Sequence, residues 1–435
     1  MASPTKLLYL IGQYPAINHG YLLAEIRHLR RLGLEVSVAS VSGPDRAMEQ
    51  LSPLERGEAS NTYYIKSVPL LRALAAQIAE AARHPWRYLR GLVFALQLAG
   101  ASARGMLYHL AYFTEAVLVG REMRRQGLLH VHASFSATVA LITTRTFPVT
   151  MSFGVYGFGE LHDPTRTCLA ARIAGASFVR SISRHGRGQA LLSCNRSEWS
   201  KILYVPLGID PAEFPPRPHR PDPSPIRFLC VGRLAPEKGQ FFLLHAMKEL
   251  RHCGVPLRLH LVGDGPDRAW LENEASVTGV AAHIEFEGWV DQKRLMMLYA
   301  ETDVFVLPSL AEGIPVVVME AMAMEIPCVA PRITGIVELI EDGVDGALFH
   351  VADVQDLVRV ILRLVQSPEL RVKIGQHARA RVERQYDIAR NTELWADLLR
   401  ERLEATTARP PLQPGWPSIN SEGRRAGLSY LREDH

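Results

Sequence analysis

Two glutamates, Glu312 and Glu320, stand eight residues apart in AEGIPVVVMEAMA (311–323), a stretch otherwise almost wholly apolar. Carboxylates are among the side chains least often buried, and an unpaired one in an apolar site is expensive. Pro315 suits the first position of a helix, because its missing N–H would have no intrahelical partner there. Glu312 then falls in the loop before the helix, and Glu320 about 7.5 Å along its axis at 1.5 Å per residue. The free amides around Gly313, Ile314, Val316 and Val317, together with the helix dipole, make an anion site. A carboxylate on each side of it fits a ligand with hydroxyls at both ends of its phosphates, since carboxylates accept from vicinal diols. Taken singly, Glu312 reads as a charge near a cap and Glu320 as a surface glutamate; the whole string argues for a ligand.

Cations for such phosphates are expected from another strand-to-helix loop of the same domain. VGRLAPEKGQFFLLHAM (231–247) supplies Arg233 and Lys238, five apart. Arginine can fork onto two phosphate oxygens while lysine acts as a point charge. The loop is not a Walker loop, because GxxxxGK[ST] is absent, and LVGDGPDRAWL (261–271) does not complete a dinucleotide fingerprint. The glycines of that second loop, Gly263 and Gly265, are expected to let backbone approach a ligand.

The elements that position these groups follow from the hydrophobic pattern. DVFVLPSLAEGIPVVVMEAMA predicts a strand (303–307), a loop (308–313) and a helix, and ligands of open parallel sheets sit beyond such strand ends. KLLYLIG (6–12), YLLAEIRHLRRLG (21–33) and LEVSVASV (34–41) read as strand, helix and strand, a βαβ unit that implies a parallel sheet. A mostly helical stretch, 68–126, interrupts the alternation. Its first part has Leu71, Leu74 and Ile78 on one face with Arg83, Arg87 and Arg90 beyond. Such a helix can lie on a bilayer or pack on its own sheet. PPRPHRPDPSP (215–225) predicts a linker, and from 226 strands and helices alternate again. The expected organisation is therefore an amino-terminal α/β domain (1–214), the linker, and a carboxyl-terminal α/β domain (226–387). A helix (388–407) able to cross back and a disordered tail (408–435) would follow.

Composition sets the outer bounds. The 435 residues are too many for one ordinary core, and 47% apolar with 22% charged residues is the balance of a soluble globular protein. Five scattered cysteines, never in CxxC spacing, fit a reducing compartment better than a disulfide framework or a zinc site. The amino terminus reads as a strand rather than a signal peptide, and no apolar run is long enough for a membrane span. Residues 1–220 carry 25 Lys and Arg against 14 Asp and Glu, and the rest 24 against 31. A basic half fits an anionic partner, whether acidic lipid, a diphosphate-linked acceptor or nucleic acid. Nucleic acid is disfavoured, because no binding motif accompanies the charge.

GRLAPEKG, LVGDGPDRAWLE, IEFEGWV and EGIPVVVMEAMAMEIPCVA, followed by TGIVELIEDGVDGALF, resemble the nucleotide-sugar-binding domain of the family 4 retaining glycosyltransferases. The resemblance runs over 226–390 and more thinly through the first domain. It implies the GT-B fold: two Rossmann-like, doubly wound α/β domains facing across a cleft. By position, Arg233 and Lys238 would hold the donor diphosphate, Glu312 the transferred sugar near its reacting carbon, and Glu320 the ribose. Gly313, Ile314, Pro315, Val316 and Val317 would lie along sugar and phosphate, with Gly263, Gly265, Gly288, Trp289 and Val290 completing the donor site. The implied reaction moves a hexose from a UDP- or GDP-sugar to a glycan or lipid-linked acceptor in polysaccharide biosynthesis, with no cofactor and no metal. The implied setting is cytoplasmic, with surface contact to an anionic inner membrane as an extension. A non-catalytic sugar-nucleotide-binding subunit and an epimerase or hydrolase of the same fold are the alternatives. His19 and Gly20, with His130 and His132, are candidates for the acceptor side. Two departures stand out. HVHASFSATVALITTRTFPVTMSFGVYGFGE puts Gly154 where the family has a histidine and Gly157 where it often has an acid. Either Glu160, His162 or Asp163 substitutes, or the group is dispensable, or activity is impaired. Glu325 stands where glycine is usual, which a solvent-facing turn could tolerate.

Overall fold

Short apolar runs build two parallel sheets in this computed structural model, which describes residues 5–100, 102–157, 168–221 and 223–407. The first sheet contains β1 (Lys6–Gln13), β2 (Glu35–Ser42), β3 (Thr62–Tyr64), β4 (His130–Ser134), β5 (Thr150–Val155), β6 (Phe178–Ser181) and β7 (Ile202–Tyr204). Their spatial order is β3-β2-β1-β4-β5-β6-β7. The second contains β8 (Ile226–Val231), β9 (Leu257–Val262), β10 (Ile284–Gly288), β11 (Val304–Val306), β12 (Cys328–Pro331) and β13 (Ala347–Phe349), in the order β10-β9-β8-β11-β12-β13. All neighbouring strands run parallel. The order reverses beside β1 and again beside β8, which are the crevices where doubly wound sheets bind ligands. This is the GT-B architecture that the sequence implied.

Helices cover both faces, so the central strands are buried throughout: Leu7, Leu8, Tyr9, Leu10 and Ile11 of β1 are wholly inaccessible. Between β3 and β4 the chain makes three helices, Leu70–Arg83, Pro85–Ala99 and Ala103–Gln126. The first of them contradicts the simplest reading of its pattern. Its inward face is Ala73, Ala76 and Glu80, whereas Leu71, Leu74 and Ile78 are exposed.

The proline-rich segment after residue 214 is pinned rather than loose. The Arg217 amide donates to Met324 O (3.1 Å), the Arg220 guanidinium meets Asp303 (3.1 Å), and Arg371 donates to Pro221 O (2.9 Å). The last helix, Ile388–Thr407, packs on the helix Gly20–Arg31 of the first domain. Trp395 Nε1 donates to the Tyr9 hydroxyl (2.7 Å), which donates to Glu25 (2.9 Å). Glu25 in turn pairs with the buried Arg180 (2.5 Å), whose guanidinium lies over the Trp395 ring. Asn391 donates to Leu207 O (2.8 Å), extending the seam. The tail 408–435 lies outside the described residues.

Two boundaries differ from the expected ones. β11 is shorter by one residue at each end, and Pro315 is an extended cap (φ −75°, ψ 115°), so the helix begins at Val316. At the other end of that helix, Glu325 adopts a left-handed conformation (φ 59°), the position where helices commonly place glycine. A non-glycine residue there costs roughly 1–2 kcal/mol. Glu325→Gly is therefore expected to raise stability by about 1 kcal/mol, a gain of roughly 2–4 °C in Tm by calorimetry. An unchanged or lower Tm would show that the glutamate side chain offsets its backbone strain.

Candidate functional site

Two strand-ending loops of the second domain converge. The loop after β8 turns through Pro236–Lys238, with Gln240 Nε2 held on Arg233 O (2.9 Å). The loop after β11 lies against it, Leu310 donating its amide to Glu237 O (2.8 Å). Lys238 Nζ and Glu312 Oε1 are thereby brought to 2.6 Å, and Ser309 Oγ donates to the same carboxylate oxygen at 2.7 Å. Glu312 is largely enclosed and Lys238 a quarter exposed. Arg233 is exposed at the rim. The cation and the carboxylate that the sequence assigned to opposite parts of one ligand thus pair with each other.

Val316 and Val317, the first residues of the helix, are half-buried, and their amides have no intrahelical acceptor. One turn on, half-buried Glu320 accepts from the Tyr299 hydroxyl (2.8 Å), which also reaches Val317 O (3.2 Å). Burial lifts the Glu320 carboxyl to about 7, partly opposed by the Tyr299 hydrogen bond. Glu312 and Glu320 therefore differ in kind: one is paired with a cation, the other held near its titration point.

Gly313 is enclosed by backbone on two sides. A Cβ there would lie 2.4 Å from Tyr156 O of the first domain, and one on Gly335 would lie 1.5 Å from Gly313 O. Gly157 is part of the same contact, its Cβ direction running 3.3 Å from Gly313 Cα. A side chain at 157 would need the Gly313 backbone to give by a few tenths of an ångström.

Gly154 lies in β5 beside Arg180. The space over it is taken by the Tyr156 ring, 2.3 Å from where a Cβ would be. Residues two apart on a strand share a face, so a glycine at 154 makes room for the tyrosine at 156. The Tyr156 hydroxyl hydrogen-bonds Ser134 Oγ (2.8 Å), and its ring lies 4.8 Å from Phe135 and 6.0 Å from Tyr21. His19 stacks on Phe135 (4.7 Å), its Nδ1 3.4 Å from Gln13 O and its basicity lowered by burial. Gly20 opens the helix behind it. His19, Tyr21, Phe135 and Tyr156 form an aromatic wall at the carboxyl ends of β1, β4 and β5, three of whose members the sequence reading missed.

His130 and His132 do not belong to that wall. Both are buried in β4 and held by Thr150 and Ser152 (2.8–2.9 Å). Burial pushes His130 down to about 3 and His132 well below its ordinary value. They are neutral core histidines. Glu160, His162 and Asp163 lie outside the described residues.

Gly263 and Gly265 have an intramolecular reason to be glycine. Their Cβ positions would fall 2.1 Å from Gly232 O and 2.2 Å from Leu234 O, so they let the loop after β9 sit against the loop that carries Arg233. Gly288 accepts from the Gly263 amide (2.8 Å), Trp289 is half exposed beyond it, and Val290 packs on the core. Among the described residues, one cluster has metal-ligand spacing: His260, Glu285 and Glu287. Arg258 and Arg294 already pair its carboxylates (2.8 and 2.7 Å).

Residues 213–381 match the family model described as glycosyl transferases group 1. That match covers most of the second domain and less than half of the chain. The match contains Arg233, Lys238, Glu312 and Glu320, and the aromatic wall lies outside it. The chain is 33% identical over 193 residues to an amylovoran biosynthesis glycosyltransferase of Erwinia amylovora, covering 43% of this chain and 47% of that protein. It is 29% identical over 258 residues to a GDP-mannose-dependent α-(1-6)-phosphatidylinositol monomannoside mannosyltransferase of Mycolicibacterium smegmatis, covering 56% and 67%. The matches thus span about half to two thirds of these relatives. In fold it is similar to Anabaena HepE in complex with UDP (TM-score 0.69, 17% identity, 91% of this chain and 100% of that one). It is equally similar to sucrose-phosphate synthase of Thermosynechococcus elongatus (TM-score 0.70, 18% identity, 92% and 100%).

The raised Glu320 carboxyl has a consequence for stability. Between its ordinary value of 4.5 and about 7 the folded chain holds a proton that the unfolded chain has released. The associated stability is complete below 4.5 and lost as pH rises through 7. Glu320→Gln is expected to flatten the decline in Tm between about pH 5 and pH 8. Parallel profiles for the two proteins would show that Glu320 titrates normally.

Proposed function

We propose that the chain is a retaining, metal-independent glycosyltransferase. It moves a hexose from a UDP- or GDP-sugar to a glycan or lipid-linked acceptor in polysaccharide biosynthesis. The observation that carries this reading is the meeting of Lys238, Glu312 and the amide-rich start of the Val316–Ala323 helix within the segment that matches the group 1 family model. The naming of UDP in one similar structure and of GDP-mannose in one relative supports the donor class and leaves the base open.

In the proposed reaction Lys238 exchanges Glu312 for the donor diphosphate, joined by Arg233 from the rim. Glu312, released from the lysine, accepts from sugar hydroxyls beside the reacting carbon, and Glu320 accepts from the ribose. Fixed cations and helix amides stabilise charge as it builds on the leaving phosphate, and positioning supplies the rest. Retention fits an acceptor that attacks from the face that the diphosphate leaves, with a phosphate oxygen taking its proton. Gly154 motivates a second reading, a subunit that binds the sugar nucleotide without turnover.

Saturation-transfer NMR against UDP-, GDP- and ADP-hexoses tests the donor assignment. Losing a charge-assisted contact costs roughly 1.5–3 kcal/mol, so Lys238→Ala is expected to weaken binding about 10–100-fold. Glu320→Ala is expected to weaken it less. With donor and acceptor, nucleotide release should survive EDTA. Failure of every donor to bind would refute the site; binding without release under any acceptor would favour the non-catalytic reading.

A further inference from the structure

The helical insert of the first domain is built inside out relative to a packed helix. Leu70, Leu71, Leu74 and Ile78 share one stripe of the Leu70–Arg83 helix and are all exposed, Leu71 to 80%. On the next helix Trp86, Leu89 and Val93, at spacings of three and four, do the same, with Trp86 exposed to 82%. The following helix opens with Met106, Leu107 and Leu110, again exposed.

The three helices pack on one another. Gln77 contacts Thr114 and Glu80 contacts Arg124, so the Leu70–Arg83 and Ala103–Gln126 helices run in the same direction. Both helices therefore begin at the same end of the insert, with Leu70 and Leu107 near their starts. The Leu70–Arg83 helix follows β3, so this end of the insert is on the carboxyl side of the sheet, the side of the cleft.

Charge is as one-sided as hydrophobicity. Residues 66–112 contain six Lys and Arg and a single acid, Glu80. All six cations are exposed: Lys66, Arg72, Arg83, Arg87, Arg90 and Arg104. Glu80 is turned inward and neutralised by Arg124 (2.7 and 3.0 Å). A protein partner would be expected to meet a mixed surface, whereas leucines and a tryptophan among unopposed arginines match an anionic bilayer, apolar below and negative at its surface.

We propose that this face of the insert is a docking surface for anionic membrane lipid. No helix of the described residues is long and apolar enough to cross a membrane, so the contact is peripheral. The proposal stands whether or not the chain is a transferase, and its test uses no donor. The full-length protein is sedimented with vesicles of phosphatidylcholine alone or containing phosphatidylglycerol. Binding is expected to be at least tenfold tighter with the anionic lipid and to weaken as salt rises. The exposed triple variant Leu71→Gln, Ile78→Gln, Trp86→Gln is expected to lose binding to both. Arg72→Gln, Arg83→Gln, Arg87→Gln is expected to lose only the preference for anionic lipid. An unchanged Tm in each variant keeps folding out of the comparison. Absence of vesicle binding by the wild type, or binding undiminished in the apolar variant, would overturn the proposal. So would a wild-type dimer by light scattering that the apolar variant renders monomeric, because the face would then be occupied by a second copy.

Discussion

Three backbones meet at Gly313, and the cleft takes its shape from that contact. Tyr156 and Gly157 press on it from the first domain and Gly335 from the second, at distances that exclude a Cβ at 313 or 335. The loop that carries Glu312 therefore sits under the end of β5. Glu312 is the residue before this contact in the chain, and Tyr156 carries it into the aromatic wall of His19 and Phe135. Protein interiors transmit such constraints because they are close-packed. A side chain at Gly313 would move a whole domain, and with it every distance across the cleft.

Elsewhere the domains are joined by polar contacts that cap exposed ends. Glu338 of the second domain accepts from the amides of Arg184 and His185 (2.7 and 2.8 Å), at the start of the helix Arg184–Leu192 in the first. The carboxylate supplies what a helix amino terminus needs, two acceptors and a negative charge. Farther back, the Glu25–Arg180 pair is buried and satisfied by Tyr9, Val205 O and Pro206 O, with Trp395 stacked on the guanidinium. Breaking such a pair by removing one partner costs about 3–5 kcal/mol. The crossing helix is thus locked to the first domain, and the second domain is carried at its end.

The fold was legible because its signals are local. Alternating apolar runs and amphipathic stretches gave the doubly wound domains, and the strand–loop–helix around Glu312 was placed to within one residue. Two kinds of information were not local. One was burial: His130 and His132 read as candidates for the acceptor side, yet both side chains are held in the core by Thr150 and Ser152, residues supplied by a strand twenty positions on. The other was which way an apolar stripe faces. Leu71, Leu74 and Ile78 have the spacing of a core face, but the alanines beside them pack more closely, so the leucines are left outside. Gly154 was seen as a loss. Its meaning, room for the ring of Tyr156, needed the pleat of β5 and the position of Ser134 together.

The Lys238–Glu312 pair places a condition on any ligand of the proposed kind. A diphosphate that draws Lys238 away leaves a largely enclosed carboxylate with Ser309 as its remaining partner. An uncompensated enclosed charge is costly, so the exchange is favourable only if the same ligand supplies donors to Glu312. The hydroxyls of a transferred sugar do this; a bare nucleotide diphosphate does not. The ion pair would then set the relative affinity of substrate and product, because the product loses the sugar that kept Glu312 satisfied. Lys238 could return to the carboxylate as the nucleotide leaves, making release of the product part of the same exchange that admitted the donor.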